Sequence, residues 1–90
     1  MTKKLFLVSG NIYGARIRLG RALQTPPLTQ EKLAQRINFM GYEAMTKRII
    51  SRIEQNQRHV CDAELQILAK ALGVTMDWLC GNGDDLAANL

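Results

Sequence analysis

Basic side chains follow Thr46 at the spacing of one helix face. In an α-helix, which turns about 100° per residue, one arc of about 140° holds Lys47, Arg48, Ser51, Arg52 and Gln55. The opposite side carries Ile49, Ile50 and Ile53. Arginine and lysine can bond the O6 and N7 atoms of guanine in the major groove of duplex DNA. The segment therefore has side chains that could read base edges and an apolar back that could anchor it. A solvated helix face with no ligand is the alternative interpretation.

A helix with this task needs others to hold it, and two are predicted before it. The first runs from residue 11 or 12 to residue 23, with Asn11 as its N-cap and Pro26-Pro27 beyond its end. Thr29 caps the second, which ends between residues 38 and 40, before Gly41. Its apolar stripe consists of Leu33, Ala34 and Ile37. Both helices therefore have a boundary signal at each end.

Three further helices complete the predicted fold. The helix capped by Thr46 should stop at Asn56, because asparagine tolerates the left-handed conformation that many C-caps require. A fourth begins at residue 61 or 62 and is closed by Gly73, and a short fifth covers residues 76–80. The only strand candidate, residues 5–8, is too short to build a sheet. The pattern predicts an all-α chain.

Composition narrows the functional classes. The chain has 90 residues, 47% hydrophobic and 22% charged, as in a single globular domain. It contains no apolar run near the ~18–20 residues that cross a bilayer, so we expect no membrane partner. One histidine with Cys61 and Cys80 is too few for zinc. Both cysteines are predicted to be reduced thiols of a cytoplasmic protein, with a disulfide as the alternative. Since no catalytic spacing is readable, we expect no enzyme, no cofactor and no small-molecule substrate.

Charge is distributed unevenly along the chain. Residues 1–58 contain eleven lysines and arginines against three acidic residues, which gives a net charge of +8. Residues 59–90 contain one lysine against five acidic residues, which gives −4. A basic half attracts a polyanion such as duplex DNA. The alternative interpretation is a solvated surface that is basic but binds no partner. The aromatic content of 6% argues against single-stranded RNA, whose bases stack on aromatic rings.

Three motifs in order resemble the Cro/C1-type (XRE) helix-turn-helix family. They are LTQEKLA at residues 28–34, ISRIEQNQR at 50–58 and ELQILAKALGV at 64–74. The resemblance covers about residues 12–81. It implies a compact five-helix, lambda-repressor-like domain with the helix-turn-helix at the second and third helices. We accordingly divide the chain into an N-terminal arm at 1–11, the DNA-binding domain at 12–81 and a flexible C-terminal tail at 82–90.

The resemblance also implies roles for individual residues. The third helix would be the recognition helix. Its base-reading candidates are Lys47, Arg48, Ser51 and Arg52. The candidates for contact with the DNA backbone are Gln30, Thr46, Gln57 and Arg58. Each of these could instead be an ordinary surface residue, and Thr46 a cap alone. Arg21 and Glu54 would form a structural ion pair, as family members often have.

The expected function is that of a transcriptional repressor that binds a pseudo-palindromic operator as a homodimer. Its dimer contact could come from Trp78 and Leu79, which could equally be core, or from the arm at residues 5–8. An antitoxin-like or other protein-interaction module that also binds DNA is the alternative. The segment at residues 38–45 lengthens the turn inside the motif beyond the usual four or so residues. The sequence therefore does not determine the angle between the second and third helices.

Overall fold

Five helices make up the part of the chain that the computed structural model describes, residues 13–81. They are α1 at Tyr13–Ala22, α2 at Gln30–Phe39, α3 at Lys47–Glu54, α4 at Asp62–Leu72 and α5 at Met76–Leu79. No strand occurs within these residues. The prediction of an all-α, five-helix fold is confirmed. The predicted arm, the Asn11 cap and the predicted tail lie outside the described residues. None of the described helices has the length and apolar character needed to span a bilayer.

Threonine side chains begin three of the helices. The hydroxyl oxygens of Thr29, Thr46 and Thr75 accept hydrogen bonds from the backbone N–H groups three residues later, at 3.0–3.1 Å. Each bond satisfies one of the amides that a helix start leaves without a partner. At the other end of α3, Asn56 has a positive φ of 63°, the left-handed conformation predicted for it. Local sequence therefore sets both boundaries of α3.

The core forms where the apolar sides of all five helices meet. Its fully buried side chains are Ile17, Leu33, Ile37, Met45, Ile50, Ile53, Leu68 and Leu79. Trp78 is also buried, so the core alternative for Trp78 and Leu79 is the one the structure has. α1 packs closely at Gly20, where an added Cβ would lie 3.2 Å from a methyl carbon of Leu72. α1, which precedes α3 in the chain, therefore packs directly on α4, which follows it.

The long connector between α2 and α3 is held at several points. The side-chain amide of Asn38 donates hydrogen bonds to the carbonyl oxygens of Tyr42, at 3.0 Å, and Met45, at 2.9 Å. Met45 itself is 1% exposed. Gly41, with a φ of 110°, makes the turn out of α2 in a conformation that favours glycine. The connector is therefore an ordered part of the domain, and it fixes where α3 begins.

Candidate nucleic-acid interface

The outer face of α3 carries the side chains predicted to read bases. Lys47, Arg48 and Arg52 are exposed and Ser51 is half-buried. The Ser51 hydroxyl accepts a hydrogen bond from the Gln55 amide at 2.9 Å. On the inner face, Ile50 and Ile53 are fully buried and Ile49 packs partly against the core. The helix is therefore anchored by its isoleucines, and its three cations face solvent.

A partly buried ion pair joins the C-terminal end of α3 to α1. The Arg21 guanidinium donates to both carboxylate oxygens of Glu54, each at 2.8 Å. The side chains are 16% and 1% exposed, respectively. A third donor of Arg21 reaches the carbonyl oxygen of Leu28 at 2.9 Å. Three of the five N–H donors of Arg21 are bonded inside the fold, so Arg21 links α1 to the end of α3 and its side chain is largely withdrawn from solvent.

Gln30, the first residue of α2, joins the same cluster. Its amide donates to Glu54 Oε1 at 3.0 Å, and Arg18 Nε lies 3.7 Å from that oxygen. Arg18 is 64% exposed. A glutamine amide carries two N–H donors, so this bond uses one and leaves the second for another acceptor. The start of a helix also offers backbone N–H groups and the positive end of its dipole to an anion. Gln30 is thus placed where a phosphate would be attracted.

Comparison with protein-family models gives a match to the helix-turn-helix family over residues 28–79. The matched segment begins one residue before the Thr29 cap, ends with α5 and covers more than half of the chain. The chain belongs to the Cro/C1-type helix-turn-helix family. Searches of the curated proteins and of the solved structures gave no match.

Family membership sets the kind of function. Helix-turn-helix domains of this type bind DNA, and the chain is a DNA-binding protein of the transcription-regulator kind. The family is one of binding domains and not of enzymes. The match includes α2 to α5, and α1 with Arg21 precedes it. The Arg21–Glu54 contact therefore joins the matched helices to one that the family model does not cover.

The residues after α3 differ from one another in their surroundings. Gln57 is exposed, as a contact with DNA requires. Arg58 is half-buried, and its guanidinium donates to both oxygens of Glu64, at 3.0 and 2.9 Å. It also reaches the carbonyl oxygen of His59 at 3.3 Å. The contacts of both Gln57 and Arg58 with DNA stay predictions. For Arg58 a phosphate would have to compete with a carboxylate that already binds it at both oxygens.

Glu64 is a meeting point for three parts of the chain, and we call Tyr42, Arg58 and Glu64 the Glu64 clamp. Besides Arg58, its carboxylate accepts the Tyr42 hydroxyl at 3.1 Å and the Cys61 backbone N–H at 3.2 Å. The Arg58 guanidinium is the main cause that lowers the pKa of Glu64; burial opposes it, and the other two donors add to it. The bond to this carboxylate in turn raises the pKa of the Tyr42 hydroxyl. Glu64 is therefore held in its charged form.

Sequence reasoning assigned no role to Tyr42 or Glu64. A partial signal for Glu64 was available, because an acidic residue three positions after a helix N-cap can bond back to the cap's backbone N–H. Cysteine is a poor side-chain cap, which hides that signal at Cys61. No local pattern links Tyr42 to a residue 22 positions away. Cys61 and Cys80 are both free thiols.

Proposed function

We propose that the chain is a sequence-specific regulator that reads a pseudo-palindromic operator as a homodimer and represses by occupying it. The observation that carries the proposal is the two-sided build of α3. Its isoleucines are buried in the core while Lys47, Arg48 and Arg52 are exposed on the other side. A recognition helix needs both properties, since its side chains must enter the major groove while the body of the domain holds it still.

Each residue has a distinct part in this proposal. Lys47, Arg48, Ser51 and Arg52 contact base edges, with arginine or lysine favouring guanine. Gln30, Thr46 and Gln57 contact phosphates and set the register of the protein on the duplex. The Thr46 hydroxyl oxygen accepts the N–H of Ile49, and its O–H is left to donate to a phosphate oxygen. The Arg21–Glu54 pair takes no part in binding and serves to hold α3.

The homodimer needs a surface other than Trp78 and Leu79. Trp78 and Leu79 are 4% and 0% exposed within a single copy, so they have little surface left to contribute. The exposed large apolar side chains among the described residues are Leu19, Leu23, Phe39, Met40 and Met76. Two copies would bind half-sites about one helical turn, ~34–36 Å, apart. Sedimentation at several protein concentrations, with and without operator duplex, tests the stoichiometry.

Selection of bound duplexes from a random pool tests the function directly. We expect enriched sequences with inverted half-sites containing at least one G·C pair. Arg52→Ala should then relax the preference at one position, at a cost of about 1–3 kcal/mol. Lys70→Ala is the matched control, because it removes one exposed cation from α4. A pool that yields no preferred sequence contradicts the proposal. Equal loss on every sequence would make Arg52 a phosphate contact.

A further inference from the structure

The Glu64 clamp joins the two segments that flank α3. Tyr42 lies in the connector, four residues before the N-cap Thr46. Arg58 lies four residues after Glu54, the last residue of the helix. Both side chains bond the carboxylate of Glu64, in the first turn of α4. One side chain outside α3 therefore contacts the chain on both sides of it.

The carboxylate is well suited to fix positions. It accepts four hydrogen bonds, two from Arg58, one from Tyr42 and one from Cys61, at 2.9–3.2 Å. Glu64 is 5% exposed, so water does not readily replace these donors. Hydrogen bonds to a charged group are stronger than neutral ones, and the two-pronged contact of arginine with a carboxylate also fixes its orientation. Apolar packing alone would leave both flanks freer to shift.

We propose that Glu64 is a positioning residue for DNA recognition, which through Tyr42 and Arg58 sets how α3 is presented to the major groove. Arg58 then acts through Glu64 and is not a phosphate contact. The inference rests on the proposed function, because it assumes that α3 reads bases. Base reading needs hydrogen bonds of defined length and angle, whereas attraction to phosphates tolerates small displacements. Loosening the clamp should therefore reduce sequence-specific affinity and spare non-specific affinity.

Tyr42→Phe is the sharpest test. It removes one hydroxyl from a half-buried ring and leaves the ring and the Arg58–Glu64 contact in place. Affinities are measured for the selected operator and for an unrelated duplex at one salt concentration. We expect the ratio of the two to fall about three- to tenfold, the equivalent of one hydrogen bond. Non-specific affinity should be unchanged. Tyr13→Phe, which removes a hydroxyl from α1, is the matched control and should keep the wild-type ratio.

Glu64→Gln extends the test to the whole clamp, with affinities corrected for the folded fraction measured in denaturant. We expect a larger fall in the ratio than for Tyr42→Phe, and an unchanged slope of log affinity against log salt. A slope reduced by about 1 in Arg58→Met would mean that Arg58 neutralises a phosphate, and would overturn the inference. Wild-type ratios in both Tyr42→Phe and Glu64→Gln would overturn the positioning role of Glu64 and leave the proposed function standing. A wild-type protein without sequence preference would overturn both the clamp and the proposed function.

Discussion

Removing Arg21 is expected to destabilise the domain through the carboxylate it leaves behind. In Arg21→Ala the Glu54 side chain, 1% exposed, loses both 2.8 Å hydrogen bonds and its main cationic partner. Breaking a buried pair in this way costs about 3–5 kcal/mol. Arg18 lies 3.7 Å from Glu54 Oε1 and can compensate in part, which favours the lower end of that range. The total free energy of unfolding of a domain of this size is about 5–13 kcal/mol.

The expected change is large enough to measure by thermal and denaturant unfolding. A loss of about 3 kcal/mol lowers the Tm of a domain of 60–100 residues by at least about 12 °C. Arg18→Ala is the matched control, since Arg18 lies on the same helix and also lies near the Glu54 carboxylate. At 64% exposure its contact is worth about 0–1 kcal/mol. The variant should therefore melt close to the wild type.

A double variant separates the two explanations of such a loss. Arg21→Met with Glu54→Leu removes both charges and keeps the bulk, and it should recover most of the stability. Arg21→Met alone keeps the same bulk and leaves the Glu54 carboxylate without its partner. Recovery in the double variant but not in Arg21→Met would show that the uncompensated carboxylate, and not the missing arginine packing, causes the loss. A wild-type Tm together with lost affinity for DNA in Arg21→Ala would contradict a structural role, because Arg21 would then be a ligand of DNA.

Three further perturbations test other parts of the domain. Because the pKa of Glu64 is lowered in the fold, its contribution to stability is full above the ordinary glutamate pKa of about 4.3 and is lost as the pH falls through the lower folded value. The Tm advantage of the wild type over Glu64→Gln should therefore shrink in acid; an advantage that grew there would contradict this sign. Asn56→Ala should cost about 1–2 kcal/mol at a φ of 63°, and Asn56→Gly much less. Met45→Ala should cost about 2–5 kcal/mol in denaturant unfolding, whereas Phe39→Ala, at 94% exposure, should be nearly neutral.

The helices were predictable from sequence because their signals are local. Threonine caps, the spacing of the isoleucines and the tolerance of Asn56 for positive φ all act within a few residues, and the structure has each of them. The Arg21–Glu54 contact, expected from the family resemblance alone, is present across 33 positions. Spacing along one helix could not have indicated it.

The connector and the residues after α3 were not predictable in the same way. The path of the connector depends on the Asn38 amide and on the bond from Tyr42 to Glu64, and neither has a sequence pattern. No sequence pattern indicates that Arg58 bonds Glu64 either. In a sequence, an arginine near a recognition helix has the same charge whether a carboxylate binds it or not. Only coordinates distinguish Arg58, bound at both oxygens of Glu64, from the exposed Arg52.

Two kinds of basic residue can therefore be distinguished: arginines that pair with buried carboxylates inside the fold, and exposed cations that are available to bind DNA. Glu54 is neutralised by Arg21 and Glu64 by Arg58, so neither carboxylate acts as an unpaired negative charge behind α3. A close pair of opposite charges has little field at a distance, and a phosphate would be neither strongly repelled nor strongly attracted by it. In the proposed complex, the attraction to DNA in front of α3 would come from its exposed cations, Lys47, Arg48 and Arg52. In the proposed complex, the arginines paired inside the fold would allow α3, a helix that ends in a glutamate, to face a polyanion.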